Sequence, residues 1–323
     1  MKEFSILFLT CILFSLSCKK DKNAQKNMWV TVLDLKEKNF TFRDVDFLNE
    51  NTGYALALKI EGIAGNHTLW RTDDGGKTWA SNNFYLKDDF ITNISAVNDT
   101  LFGSSKQVYH SDDNGLSWKS ISPSLTLVPK GDIVFSDTQT GTIIECNSLF
   151  KTTNRGETWK EVFNIPYMSC FSHLFFTSNK TAYAIGGSVH DNTNFGFIAK
   201  SEDEGQNWKL LEAKFANITD CYFLNDKTGF VFTFNEELFK TTDGGNNWKL
   251  INNKIELYPK SFFLSEKEGY YGGMFGIFHT TDGGLTWKKE YTTNEGDVIT
   301  DITFKGKTSI VITSKGLILR KQI

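Results

Sequence analysis

Polar and apolar positions alternate along this chain in short bursts. In Asp44-Val45-Asp46-Phe47 two apolar side chains face one way and two carboxylates the other; a polar turn and Gly53-Tyr54-Ala55 follow. Period-two alternation bounded by turn residues predicts a β-strand. The unit returns as Asp132-Ile133-Val134-Phe135 before Gly141, as Asp220-Cys221-Tyr222-Phe223 before Gly229-Phe230, and as Ser261-Phe262-Phe263 before Gly269-Tyr270. Weaker copies begin at Asn93 and His173, and a seventh runs Asp301-Ile302-Thr303-Phe304.

A second signature follows each of the first six units: [Ser/Thr]-x-[Asp/Asn]-x-Gly-x-[Thr/Ser/Asn]-Trp. It reads Thr72-Asp73-Asp74-Gly75-Gly76-Lys77-Thr78-Trp79 in the first copy and closes on Trp118, Trp159, Trp208, Trp248 and Trp287 in the others. The closing tryptophans lie 39, 41, 49, 40 and 39 residues apart. Short strands repeating at about 40 to 50 residues predict an all-β fold, a β-propeller of four-stranded antiparallel blades. In each phrase glycine permits a tight turn. The carboxylates of Asp74, Asp113, Asp203, Asp243 and Asp282, and the amide of Asn154, are placed to accept turn N–H bonds. The tryptophan buries a large area under the turn. Residues repeated on every blade cannot converge on one substrate, so these positions are structural.

Six phrases and seven inner strands leave one outer strand missing. Met28-Trp29-Val30-Thr31-Val32 at the other end of the chain supplies it. Seven blades follow, with the N-terminal strand (28–33) joining the C-terminal blade so that no edge stays open. Six blades with a loose C-terminal segment is the alternative.

The first residues lie outside this pattern. Met1-Lys2-Glu3 precedes an apolar run over 4–16, then Ser17-Cys18-Lys19-Lys20-Asp21. A charged start, a short apolar stretch and a small residue before cysteine read as a secretory signal over 1–17. Residues 18–27 are polar and aperiodic and read as a tether, with 28–323 as one propeller domain. Cys18 resembles the lipidated cysteine of bacterial lipoproteins, which implies an exported protein anchored in the envelope, at the outer membrane. Of 35 basic residues only four are arginine, and net charge is −3, so nothing asks for nucleic acid, and the membrane is met through the lipid alone. Cys146, Cys170 and Cys221 fit no metal spacing and allow at most one disulfide. They read as buried thiols, with Cys170–Cys221 as the minor alternative.

Three further sets mark candidate surfaces. Asp44, Asn93, Asp132, His173, Asp220, Lys260 and Asp301 hold one register position, which propeller geometry puts near the mouth of the central channel. Carboxylates at Asp44, Asp132, Asp220 and Asp301 suit a cation, ordered water or hydrogen bonds to neighbouring loops. A basic residue precedes every phrase: Arg71, His110, Lys151, Lys200, Lys240 and His279. The face opposite the tryptophan turns offers Tyr85, Tyr167, His190, Asp191, Phe195, Tyr258 and Tyr291, a mixture suited to protein contact or sugar stacking.

The phrase resembles the Asp-box, or BNR repeat. The whole unit, for example Phe47, Gly53-Tyr54-Ala55 and the segment from Arg71 to Trp79, resembles the photosystem II stability/assembly factor family. That resemblance implies a seven-bladed scaffold that binds other proteins, without catalysis. Asp-boxes also occur in sialidases, which need three convergent arginines. Here Arg71 and Arg155 belong to the phrase and Arg320 lies near the terminus, leaving Arg43. A glycan-binding or glycoside-hydrolase propeller is the alternative reading. No motif calls for a cofactor or a metal.

Overall fold

The computed structural model describes residues 28–323 apart from 60–65, 85, 87–88, 122–130, 166–168, 191–192, 213–214 and 257–258. Seven antiparallel sheets carry the strands, and in six of them four strands run in sequence order from inside to outside. Blade 1 consists of Phe40–Phe47, Gly53–Lys59, Asn66–Thr72 and Ala80–Asn83. The inner strands of blades 2 to 7 are Asn93–Val97, Ile133–Phe135, Ser169–Phe176, Ile218–Phe223, Lys260–Phe263 and Ile299–Lys305. In blade 4 a short extra strand, Phe215–Ala216, pairs with Thr193–Ser201.

The ring closes as the strand count requires. Val30–Asp34 is the outer strand of blade 7, antiparallel to Leu317–Gln322, with Val30 opposite Arg320 and Asp34 opposite Leu317. Trp29 takes the place of the missing phrase tryptophan. It is buried with Phe262, Ile277 and Leu319, edge-on to Tyr270 at 6.1 Å. The seven-bladed reading holds, and the six-bladed alternative falls.

The Gly-aromatic signature has a steric cause. The inner-strand phenylalanine lies across the first residue of the second strand, so a Cβ on Gly53 would stand 2.6 Å from the Phe47 ring, and one on Gly269 would stand 2.4 Å from Phe263. Each such ring meets the phrase tryptophan of its own blade edge-on, as Phe47 meets Trp79 and Phe263 meets Trp287. In blades 3 and 6 the ring also stacks on an aromatic of the preceding blade: Phe102 on Phe135 and Phe230 on Phe263, both at 3.5 Å between centroids. The core therefore lies between blades.

The Asp-box turns show the expected chemistry. Asp74 Oδ1 accepts from Lys77 N and Thr78 N, each at 2.9 Å, and its Oδ2 accepts from Thr78 Oγ1. Gly76 N donates to Thr72 Oγ1 at 2.9 Å, and Gly75 and Gly76 hold φ of 70° and 77°. Asn154 accepts from Thr158 N and donates its amide to Thr158 Oγ1. The bonds from the Ser117 hydroxyl and amide hold Asp113 down at about 2. Asp203 and Asp243 accept from the Asn207 and Asn247 side chains, and Asp282 from the Thr286 hydroxyl.

The cysteines depart from the expectation of three buried thiols. Only Cys221 is buried; Cys170 is exposed and Cys146 half-buried. Nor is Cys221 the neighbour of Cys170: the Sγ atoms of Cys146 and Cys170 lie 2.6 Å apart, because the turn holding Cys146 lies against the inner strand holding Cys170.

Candidate functional site

The inner strands build a central channel. Immediately before the register-matched position, strand pairing slips by one residue in blades 1, 4, 5 and 7: between Phe42 and Asp44, Phe171 and His173, Ile218 and Asp220, and Ile299 and Asp301. A bulge re-aims the side chain that follows it. Asp44, Asn93, Asp132, His173, Lys260 and Asp301 line one cavity of about 500 Å³. Asp220 lines an adjoining space with His173, Lys260 and Asp301.

These side chains clamp neighbouring blades. Asp44 Oδ2 accepts from Ile94 N of blade 2 at 2.6 Å, Asp132 Oδ2 from Leu174 N of blade 4 at 3.0 Å, and Asp301 Oδ2 from Val45 N of blade 1 at 3.3 Å. Asp220 Oδ2 accepts from Ser261 Oγ of blade 6. In every case the donor residue directly follows the register-matched residue of the next blade. Asp132 also accepts from Asn93 Nδ2 at 3.0 Å and meets His173 Nδ1 at 3.2 Å. Lys260 Nζ lies 3.0 Å from His173 Nε2.

Electrostatics divide the ring in two. Burial, then repulsion from Asp301, pushes the Asp44 carboxyl well above the usual carboxylate range. Burial raises Asp301 to about 6, against the pull of Lys260. Burial also presses upward on Asp132, but the contacts with His173 outweigh it and leave that carboxyl below its ordinary value. Among the described residues no cluster of His, Cys, Asp and Glu has the arrangement of a metal site.

Five of the six basic residues beside the boxes lie within ion-pair reach of a carboxylate, while Lys151 donates to the Glu204 carbonyl. Arg71 pairs with Asp73, Lys200 with Glu202, Lys240 with Glu266, and His279 with Glu268 and Glu290. Lys200 and Lys240 also lie over the rings of Tyr183 and Phe230. The set has a seventh member that the phrase search misses: Lys321, opposite Ser309 as Arg71 is opposite Tyr54, pairing with Glu290 and with the Tyr270 hydroxyl. The strand register is its only signal, since no tryptophan phrase follows it.

On the face opposite the boxes, Phe195 is exposed near the tip of the blade 4 hairpin. His190 is fixed there through its backbone pairing with Thr193. Tyr291 is half-buried against the cluster around Trp29. Tyr85, Tyr167, Asp191 and Tyr258 lie outside the described residues, as does Cys18. Three aromatics missed in the sequence share this face. Phe234 and Phe275 stand in the turns between second and third strands of blades 5 and 6, and Phe90 in the loop leading to the inner strand of blade 2. An aromatic inside a polar turn, as in Phe234-Asn235-Glu236, was the available signal.

Fold and repeat define a BNR-type seven-bladed propeller. A model of the family described as photosynthesis system II assembly factor YCF48 matches residues 21–165 and 200–322. The chain belongs to that family. It is similar to a solved structure of YCF48 bound to a D1 peptide, with a TM-score of 0.71 over 92% of this chain and 95% of that one, at 18% identity. YCF48 from Cyanidioschyzon merolae gives a TM-score of 0.71 at 17% identity, covering 91% and 98% of the two chains. A GH74 xyloglucanase from Xanthomonas campestris is more distant, at a TM-score of 0.59 and 13% identity over 90% of this chain and 60% of that one. At these identities the likenesses speak for the fold. No curated protein sequence matches the chain.

Proposed function

We propose that this protein is a non-catalytic scaffold that binds another protein, presented from the outer membrane of a cell envelope by a lipid on Cys18. One observation carries the binding reading. Among the described residues, the exposed aromatic side chains are Phe90, Phe195, Phe234 and Phe275, and all four stand on the face opposite the Asp-box turns. Aromatics set among polar residues are what protein interfaces bury at their centres. Membership of the assembly-factor family supports the same reading, and a peptide is the ligand in a solved relative. The non-catalytic part is supported by the channel, whose four carboxylates are engaged in holding the next blade.

The test is in-cell cross-linking of the full-length chain followed by capture and mass spectrometry, beside a variant carrying Phe195→Ser, Phe234→Ser and Phe275→Ser. One near-stoichiometric protein partner, lost in the variant at unchanged melting temperature, is expected. Equal capture by both chains would move the contact to another face, and retention on glycans with no protein partner would sink the reading. For the anchor, Cys18→Ser should shift the protein from the membrane to the soluble fraction; unchanged fractionation refutes lipidation.

A further inference from the structure

Two cysteines meet where blade 3 joins blade 4. Cys146 opens the tight turn between Gly141–Glu145 and Ser148–Thr152, with φ at 50°. That left-handed conformation is uncommon for a residue with a Cβ and is usually left to Gly, Asn or Asp. Cys170 is the second residue of the inner strand Ser169–Phe176, opposite Gly187. Hydrogen bonds lock the two positions together. Phe171 N donates to Cys146 O at 2.8 Å, Ile165 N to Asn147 O at 3.0 Å, and Asn147 Nδ2 to Ile165 O at 2.8 Å. The Sγ atoms stand 2.6 Å apart, closer than unbonded sulfurs rest. Cys170 is exposed, so a reagent can reach the pair from solvent. Cys221 is buried among Tyr183, Ile185 and Val231, where burial pushes its thiol well up and leaves it unreactive.

We propose that Cys146 and Cys170 are a disulfide-forming pair, oxidised by a reagent of the thiol–disulfide exchange class. The Cys170 thiolate attacks one sulfur of the oxidant's disulfide. That S–S bond breaks, a mixed disulfide forms, and the oxidant's other sulfur leaves as a thiolate. The Cys146 thiolate then attacks Cys170 Sγ and displaces the remaining oxidant sulfur. Two electrons pass to the oxidant, which departs as two thiols carrying the protons the cysteines released. The bond ties the second-to-third-strand turn of blade 3 to the inner strand of blade 4, on the face that carries Phe195.

The experiment uses the purified full-length chain, reduced and then equilibrated with oxidised glutathione. Free thiols are labelled with a maleimide and located by peptide mass spectrometry. Labelling of Cys146 and Cys170 should fall together, by about tenfold or more, with recovery of a peptide pair linked through both and two hydrogens lighter. Cys221 should label only after denaturation. Closing this loop predicts that reduction lowers the melting temperature by about 5 °C. Cys146→Ser should keep Cys170 labelled in both states and abolish that shift. Undiminished labelling of Cys170, or a glutathione adduct on it without the linked peptide, overturns the proposal. Mapping of the unaltered chain decides this even if the variant folds poorly.

Discussion

Asp44→Asn separates the cost of a buried charge in the channel from the hydrogen bond that its carboxylate makes. Asp44 accepts one backbone bond, from Ile94 N at 2.6 Å, and an amide oxygen can accept it in the same place. What the exchange removes is a charge beside Asp301. Both carboxyls are raised, Asp44 well above the usual range and Asp301 to about 6, in each case chiefly by burial. For an acid whose folded midpoint lies above its unfolded one, the stabilising contribution is complete below the unfolded value. It is lost as pH rises through the folded value. The window is therefore about pH 4 to above pH 6, with the native ring disfavoured at the upper end. At Asp301 a midpoint rising from 3.8 to about 6 corresponds to about 3 kcal/mol in a dry site, and the Asp44 carboxylate, raised by the same burial, carries a penalty of that order. Both side chains are half-buried beside an open channel, and solvent screening reduces this to about 1–2 kcal/mol. Urea denaturation should find Asp44→Asn more stable than the parent by that amount at about pH 8, and nearly unchanged at about pH 4. Destabilisation at the higher pH, or an equal change at both, would refute the buried-charge argument.

Trp29→Ala should cost about 3 kcal/mol in the same assay, since it empties a site packed by Phe262, Tyr270 and Leu319; its indole N–H has no partner to lose. Unaltered stability would mean that the terminal strand contributes nothing to closure. Asp282→Ala should cost about 1 kcal/mol by releasing the Thr286 amide and hydroxyl, whereas Asp282→Asn should cost far less. Asn154 already works opposite a threonine in blade 3, and equal losses for Ala and Asn would contradict the turn chemistry.

The ring was legible in the sequence because each blade repeats one local grammar. The strand alternation ending at Phe47, the glycine that its ring demands and the carboxylate of the box are all determined within about thirty residues. Counting such units also found the missing strand around Val30. What joins one blade to the next was harder to read. The bond from Ile94 N to Asp44 crosses 50 residues, and that from Val45 N to Asp301 crosses 256. No local pattern reports such pairs; the shared register position hinted at them, and the bulge before it became visible only in three dimensions. The cysteines misled for the same reason. A residue in a tight turn and one early in an inner strand carry no sequence mark of contact. Phe234 and Phe275 were passed over because each adjoins a run destined for the core.

The direction of the closing strand gives the disc an orientation. Outer strands start where the box turns lie, so Met28 and Val30 leave blade 7 on that side. A chain tethered through this end to a lipid surface would turn its box turns toward the bilayer and its exposed phenylalanines toward the aqueous space. If the proposed anchor holds it this way, the disc would stand over the bilayer like a dish, its phenylalanine face open to whatever diffuses past.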